Sequence, residues 1–285
     1  MIFPRAAILA VTICAFLAPA AQARQTSLCP DGYEALASHD PERAAGAFEA
    51  CLSQRLYDWP DEAELRARLG AARLGTGQSE QALLAYNQTL ALLEANGGDA
   101  GHPLVRRNRA LAYLQLDRFE DAVADIELAL ARTPDDPFAL MLAGSAYMEL
   151  ERPEAAVAAF DNALRVDPDY MMAWVGRSAA FIGMDMHEAS VSDAREAVAI
   201  DPRDATALNA LCWALVKAGR ASEGLDICDA AVEADPESGA IVHSRAAALE
   251  QVGRVDEARE LYRRAYELDP GNSEIASDYE RTHEG

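Results

Sequence analysis

Five prolines, Pro134, Pro168, Pro202, Pro236 and Pro270, stand at a constant interval of 34 residues, and small and aromatic side chains recur in register between them. A chain with this period builds one supersecondary unit again and again, each burying its apolar face only against its neighbours. Such a chain does not wrap a single core around a catalytic cleft. It folds as a stack, and what a stack supplies is surface.

Counted from residue 103, successive units begin at Pro103, Pro137, Met171, Ala205 and Gly239, each reading as helix, tight turn, helix. Position eight is small throughout (Ala110, Gly144, Ser178, Cys212, Ala246), and position eleven is large (Tyr113, Tyr147, Phe181, Leu215, Leu249). Positions twenty and twenty-seven are tiny, as in Ala156 and Ala163, so the two helices of a hairpin approach closely. Position twenty-four is larger (Ile126, Phe160, Tyr262) and fills the seam between hairpins. Each unit ends in Thr-Pro or Asp-Pro, where proline removes a backbone donor and pushes the preceding residue out of the helical region. The turn inside each hairpin falls at Asp117-Arg118, Glu151-Arg152, Asp185-Met186, Gly219-Arg220 and Gly253-Arg254. An earlier unit starts near Ala63, with Gly70, Ala82 and Tyr86 in register, and its second helix overruns into Asn96 to Gly101.

Small at eight, twenty and twenty-seven, large at eleven and twenty-four, and proline at thirty-two resemble the tetratricopeptide repeat. The resemblance covers most of the chain and implies an all-α fold, a right-handed superhelical solenoid of helix hairpins. The expected organisation is a leader over 1–23, a degenerate hairpin over 24–62, an array over 63–272, and a polar capping helix over 273–285. Units of the array lie near 63–102, 103–136, 137–170, 171–204, 205–238 and 239–272. One departure from the family pattern is arginine at position seven, in Arg109, Arg177 and Arg245.

Ala6 to Ala18 is apolar, follows one basic residue, and precedes Pro19-Ala20-Ala21-Gln22-Ala23, the layout of a secretory signal cleaved after Ala23 or, second, after Ala20. The apolar run is shorter than the roughly 20 residues of a membrane span, so no transmembrane segment is expected after cleavage. The chain has one lysine, Lys217, against 24 arginines, and much alanine, which suggests a high-GC bacterial genome and a periplasmic or secreted product. Net charge is −22; the leader removes one arginine and no acid, leaving −23. Nucleic acid is excluded as a partner class, because a polyphosphate needs a basic stripe to release its counterions.

After cleavage four cysteines remain, Cys29, Cys51, Cys212 and Cys228, with three possible pairings. Cys212 and Cys228 fall at positions eight and twenty-four of one hairpin, Cys29 and Cys51 at five and twenty-seven of another, each pair across two antiparallel helices. Two disulfides within hairpins are the preferred reading in an oxidising compartment; buried free thiols are the alternative. The segments Leu211-Cys212-Trp213 and Cys228-Asp229 also resemble exported repeat proteins of alphaproteobacteria, which supports the second pair. No CxxC or CxxH spacing points to a metal.

No catalytic, cofactor or metal site is expected. The five histidines, His39, His102, His187, His243 and His283, are dispersed, and Gly75-Thr76-Gly77 lacks the lysine and serine of a phosphate loop. Acidic pairs such as Asp135-Asp136 recur where helices stop and start, which suits capping better than calcium.

The resemblance implies that positions two, five, nine and twelve of each first helix line a concave face. These include Arg107, Leu111, Phe138, Met141, Met148, Met172, Val175, Ile182, Asn209, Trp213 and His243. Methionine is unbranched and adaptable, so Met141, Met148 and Met172 beside Phe138 suggest capture of an apolar helix or extended segment. The family's lysine-based grip on a C-terminal carboxylate is absent. The expected function is a non-catalytic adaptor for a protein or peptide partner; the alternative is a self-associating component of a cell-envelope assembly, buried in a homo-oligomer.

Overall fold

The computed structural model describes residues 28–54 and 57–283, so the expected leader lies outside the described residues. Among the described residues there are fifteen α-helices and no strand. They form two compact units, one ending at Ala146 and the other starting at Tyr147. The first contains α1 (Pro30–Ala37), α2 (Pro41–Gln54), α3 (Trp59–Gly75), α4 (Ser79–Ala95), α5 (Pro103–Gln115), α6 (Phe119–Leu130) and most of α7 (Pro137–Glu149). The second contains α8 (Pro153–Val166), α9 (Met171–Gly183), α10 (His187–Ile200), α11 (Ala205–Lys217), α12 (Ala221–Ala234), α13 (Gly239–Gln251), α14 (Val255–Leu268) and α15 (Ser273–His283). Each unit is an all-α stack in which consecutive helices pack as antiparallel neighbours, and α9, α11 and α13 also touch in series.

The helices begin and end where local chemistry dictates. In every hairpin turn from residue 117 onward, position fifteen is left-handed: Asp117, Glu151 and Asp185 at φ 56 to 58°, Gly219 at 72° and Gly253 at 84°. The following amide then donates to the carbonyl of position eleven, as in Met186 to Phe181 at 2.8 Å and Arg220 to Leu215 at 2.8 Å, which satisfies an end carbonyl. Glycine had marked only two of these turns; aspartate and glutamate take the same strained conformation because the hairpin closes only that way. At the unit ends the aspartate before proline accepts the amide two residues on: Asp167 from Asp169 at 3.1 Å, Asp201 from Arg203 at 3.0 Å, and Asp235 from Glu237 at 3.2 Å. Asp136, Asp204 and Asn272 cap the next helices through Ala139, Ala207 and Glu274 amides.

Packing follows the small-beside-large code. A methyl added to Gly70 would lie 2.8 Å from the buried Tyr86 ring, and one added to Gly32 would lie 2.7 Å from Phe48. Phe160, fully buried, presses its ring onto Gly176 of the next hairpin.

The arginines at position seven explain themselves in space. Asp193 is 5% exposed and receives two bonds from Arg177, at 2.7 and 2.9 Å; Arg177 also reaches Asp161 on the preceding hairpin. In the first unit Asp125, 3% exposed, takes two bonds from Arg109 and one from Arg106, while Arg109 reaches Asn87. Arg245 pairs with Asp229 in the same way across a seam, at 2.5 Å. Burial pushes the Asp193 carboxyl above its ordinary range even against the pull of Arg177. Arginine thus replaces an apolar side chain at position seven in three alternate units and clips a hairpin to its predecessor.

Removing Asp193 leaves a mostly buried guanidinium with only the half-exposed Asp161 as a carboxylate partner, the Asp161 side chain being 54% exposed. Asp193→Ala is expected to lower stability by about 3 kcal/mol and Asp161→Ala by less than about 1 kcal/mol. Urea unfolding of the two variants beside wild type measures both.

Candidate binding surface

The side chains expected on the concave face divide between the two units and differ in accessibility. In the first unit Leu111 is 8% exposed and Met141 only 1%. The Ser145 hydroxyl donates to the Met141 carbonyl at 3.2 Å and lies 3.5 Å from its sulfur. Arg107 is not a free cation: it pairs with Asp136 at 2.9 Å, donates to the Asn108 side chain, and stacks over Phe138 at 5.0 Å. Phe138 keeps part of its surface open.

In the second unit Met172 is 9% exposed and Val175 4%. Val175 packs with Ala197 and Ala207, the latter on the next hairpin, because alanines at the seam bring helices close enough to cover position five. The large apolar side chains that stay partly open at concave positions are Met148, Ile182 and Trp213, and Thr206, Asn209 and Glu250 are partly open polar ones. Trp213 packs its body on Cys212, Val216 and Ala248 and carries the Lys217 ammonium over its ring at 4.8 Å. Asn209 is partly buried, with its side-chain oxygen sealed from water and without a hydrogen-bond partner.

The methionine-rich groove therefore needs correcting. Leu111, Met141, Met172, Val175 and His243 are buried, so they support the stack and present no face to a ligand. The large apolar side chains that remain accessible in the second unit are Met148, Ile182 and Trp213, at positions twelve, twelve and nine, with Lys217 beside Trp213. Lys217 had drawn no attention as a site residue, although it stands one helical turn after Trp213, the spacing that puts two side chains on one face.

His243 is covered by the cap. Its Nε2 lies 2.8 Å from the Asp278 carboxylate of α15, and its ring stands between Trp213 at 5.6 Å and Tyr262 at 5.5 Å. Arg281 of α15 makes a two-pronged pair with Glu250 at 2.6 and 2.8 Å, and Tyr262 donates to the same carboxylate at 2.8 Å. Ser273 stands 34 residues after Gly239, so α15 occupies the place of a further first helix, and its one buried side chain, Ile275, seals Val242 and Ala265.

Hydrogen bonds from Arg281 hold the Glu250 carboxyl below the ordinary glutamate range. A depressed acid stabilises the docked cap at neutral pH, and that contribution is lost as pH falls through its lowered value, starting below about pH 4. Amide protection across 273–283 is expected to drop in that acid range, and Arg281→Ala should show the reduced protection already at pH 7; hydrogen exchange read as protection factors tests both.

Among the described residues, no group of three or more His, Cys, Asp or Glu side chains is placed to hold a metal ion, and no helix is long and apolar enough to cross a membrane. Cysteine sulfurs meet in two pairs, Cys29 with Cys51 and Cys212 with Cys228, at Cα separations of 5.9 and 5.1 Å.

A family model, the tetratricopeptide repeat, matches residues 90–137, 141–183, 187–239 and 213–273, more than half of the chain. Among solved structures, a tetratricopeptide repeat protein from Parabacteroides merdae ATCC 43184 is similar with a TM-score of 0.71 at 18% identity, over 90% of this chain and 98% of that one. A chain of the APC/C hetero-tetramer Cut9–Hcn1 aligns with a TM-score of 0.72 at 9% identity, over 86% of this chain and 47% of that one. YrrB, described as a repeat protein with an unusual peptide-binding site, aligns with a TM-score of 0.50 at 17% identity, over 71% of this chain and 99% of that one. No curated protein matches the sequence.

Proposed function

Because the chain belongs to the tetratricopeptide repeat family, whose members serve as protein-interaction scaffolds, we propose that it is a non-catalytic adaptor, exported to the bacterial periplasm, that holds a protein or peptide segment on the first helices of its hairpins. One observation carries the reading. In a chain of net charge −22, three large apolar side chains, Met148, Ile182 and Trp213, stay partly open at concave positions of the second unit, the acid at such a position, Glu250, is paired with Arg281, and the side chain beside Trp213 is the only lysine. Large apolar and aromatic side chains held on rigid helices are what an interface core uses. YrrB carries a peptide-binding site on a similar fold, which supports the same use of this one. The fitting occupant is an apolar helix or extended segment with an acidic group near Lys217.

The test is binding of the partner recovered from a periplasmic extract, repeated with purified components. Ile182→Glu with Trp213→Ala should weaken binding at least about a hundredfold, while Leu128→Glu, at a side chain 49% exposed on α6, should leave it unchanged. Undiminished binding by the folded double variant would sink this reading. Recovery of the bait alone, with mass rising with concentration, would favour the self-associating alternative.

We also infer that both cysteine pairs are disulfides, since their positions and Cα separations suit the bond and the leader reads as secretory. Sequence separations of 22 and 16 residues close loops for which about 3 kcal/mol each is expected. A melting curve of the Cys212→Ala, Cys228→Ala variant unchanged from wild type would count against a stabilising staple.

A further inference from the structure

The two cysteine pairs sit in different surroundings, and the difference points to a chemical role. Cys212 and Cys228 are each 1% exposed, inside α11 and α12. Cys29 is fully buried, but its partner Cys51 keeps part of its surface open at the far end of α2. Cys29 is the N-cap residue of α1, where unpaired amides favour negative charge, although Asp31 in the first turn opposes this in part. Its sulfur also lies 3.3 Å from the Ala47 carbonyl oxygen, so a Cys29 thiol has a hydrogen-bond acceptor in place.

Resting on the reading that both pairs are disulfides, we propose that Cys51 is a thiol-exchange site, so that Cys29–Cys51 is a reducible clasp on α1 while Cys212–Cys228 is a permanent staple. A solvent thiolate attacks the Cys51 sulfur, forming a mixed disulfide; the Cys29–Cys51 bond breaks and its electron pair leaves on Cys29, which takes up a proton. A second external thiolate then attacks the sulfur of the first, and Cys51 leaves and takes up a proton, so two external thiols are oxidised to one disulfide and the clasp is reduced to two thiols. Attack at the second staple meets no exposed sulfur.

Release has a structural consequence confined to the first hairpin. Helix α1 has eight residues and buries only Gly32 and Ala35, and helices that short do not persist alone. Its backbone at Gly32 lies against Phe48, and Tyr33 meets the Phe48 ring edge-on at 5.4 Å. Freed α1 uncovers Phe48, Ala44 and Ala45 on α2, an apolar edge opened by reduction.

The oxidised protein freed of its leader, and so of Cys14, is first denatured without reductant and its thiols counted. None is expected; four would overturn the disulfides themselves and this proposal with them. The native protein is then exposed to reduced glutathione, quenched with an alkylating agent and mapped by peptide mass. Cys29 and Cys51 are expected to open roughly tenfold or more faster than Cys212 and Cys228, with the glutathione adduct on Cys51 and hydrogen exchange rising across 30–37 but not across 205–234. Equal rates, earlier opening of Cys212–Cys228, or an adduct on Cys29 would overturn the proposal. Cys29→Ser provides a second reading: Cys51 should then be glutathionylated by oxidised glutathione in the folded protein, and an inert Cys51 would refute it.

Discussion

Everything in this protein depends on backbones coming closer together than ordinary side chains permit. Gly70 beneath Tyr86, Gly32 beneath Phe48 and Gly176 beneath Phe160 are places where one ring fills the space that a methyl would deny it. The alanines at positions twenty and twenty-seven do the same work less severely, and nearly all are fully buried. Close approach makes each hairpin a tight pair and sets the next hairpin near enough to cover it. Apolar area is then removed from water between neighbours without any central core.

That closeness has two further effects. Polar groups caught in the seams must be paired, and the arginines of position seven answer this: Asp125 and Asp193 are buried carboxylates, each gripped by a planar guanidinium. Side chains that would line a looser surface are instead covered. Val175, Met172 and Met141 lie on the helices and at the positions that family likeness assigns to a concave face, yet their neighbours leave them almost no exposure. Partly open apolar residues on the same helices are Met148, Ile182, Trp213 and Phe138.

The cap shows how an array ends. α15 continues the 34-residue register and is held by the hydrogen bond between His243 and Asp278, the ion pair of Glu250 with Arg281 and the stacking of Tyr279 on Tyr266, while it buries one aliphatic side chain. A helix that faces water on one side and a stack on the other needs a polar outer face, because an apolar one would invite further association.

The repeat itself was legible in the sequence: small at eight, large at eleven and twenty-four and proline at thirty-two are local consequences of helix packing, so period alone fixed the all-α hairpin architecture. Turn chemistry was half legible, since Gly219 and Gly253 announce a left-handed residue while Asp117, Glu151 and Asp185 do not. The arginine clips left a trace, Arg109 with Asp125 and Arg177 with Asp193 at the same spacing in alternate units, but a spacing does not reveal burial. The accessible surface was not legible. Whether Met172 or Ile182 meets solvent depends on how tightly one hairpin covers the next, a sum over side chains far apart in the chain, and only the tertiary structure decides it.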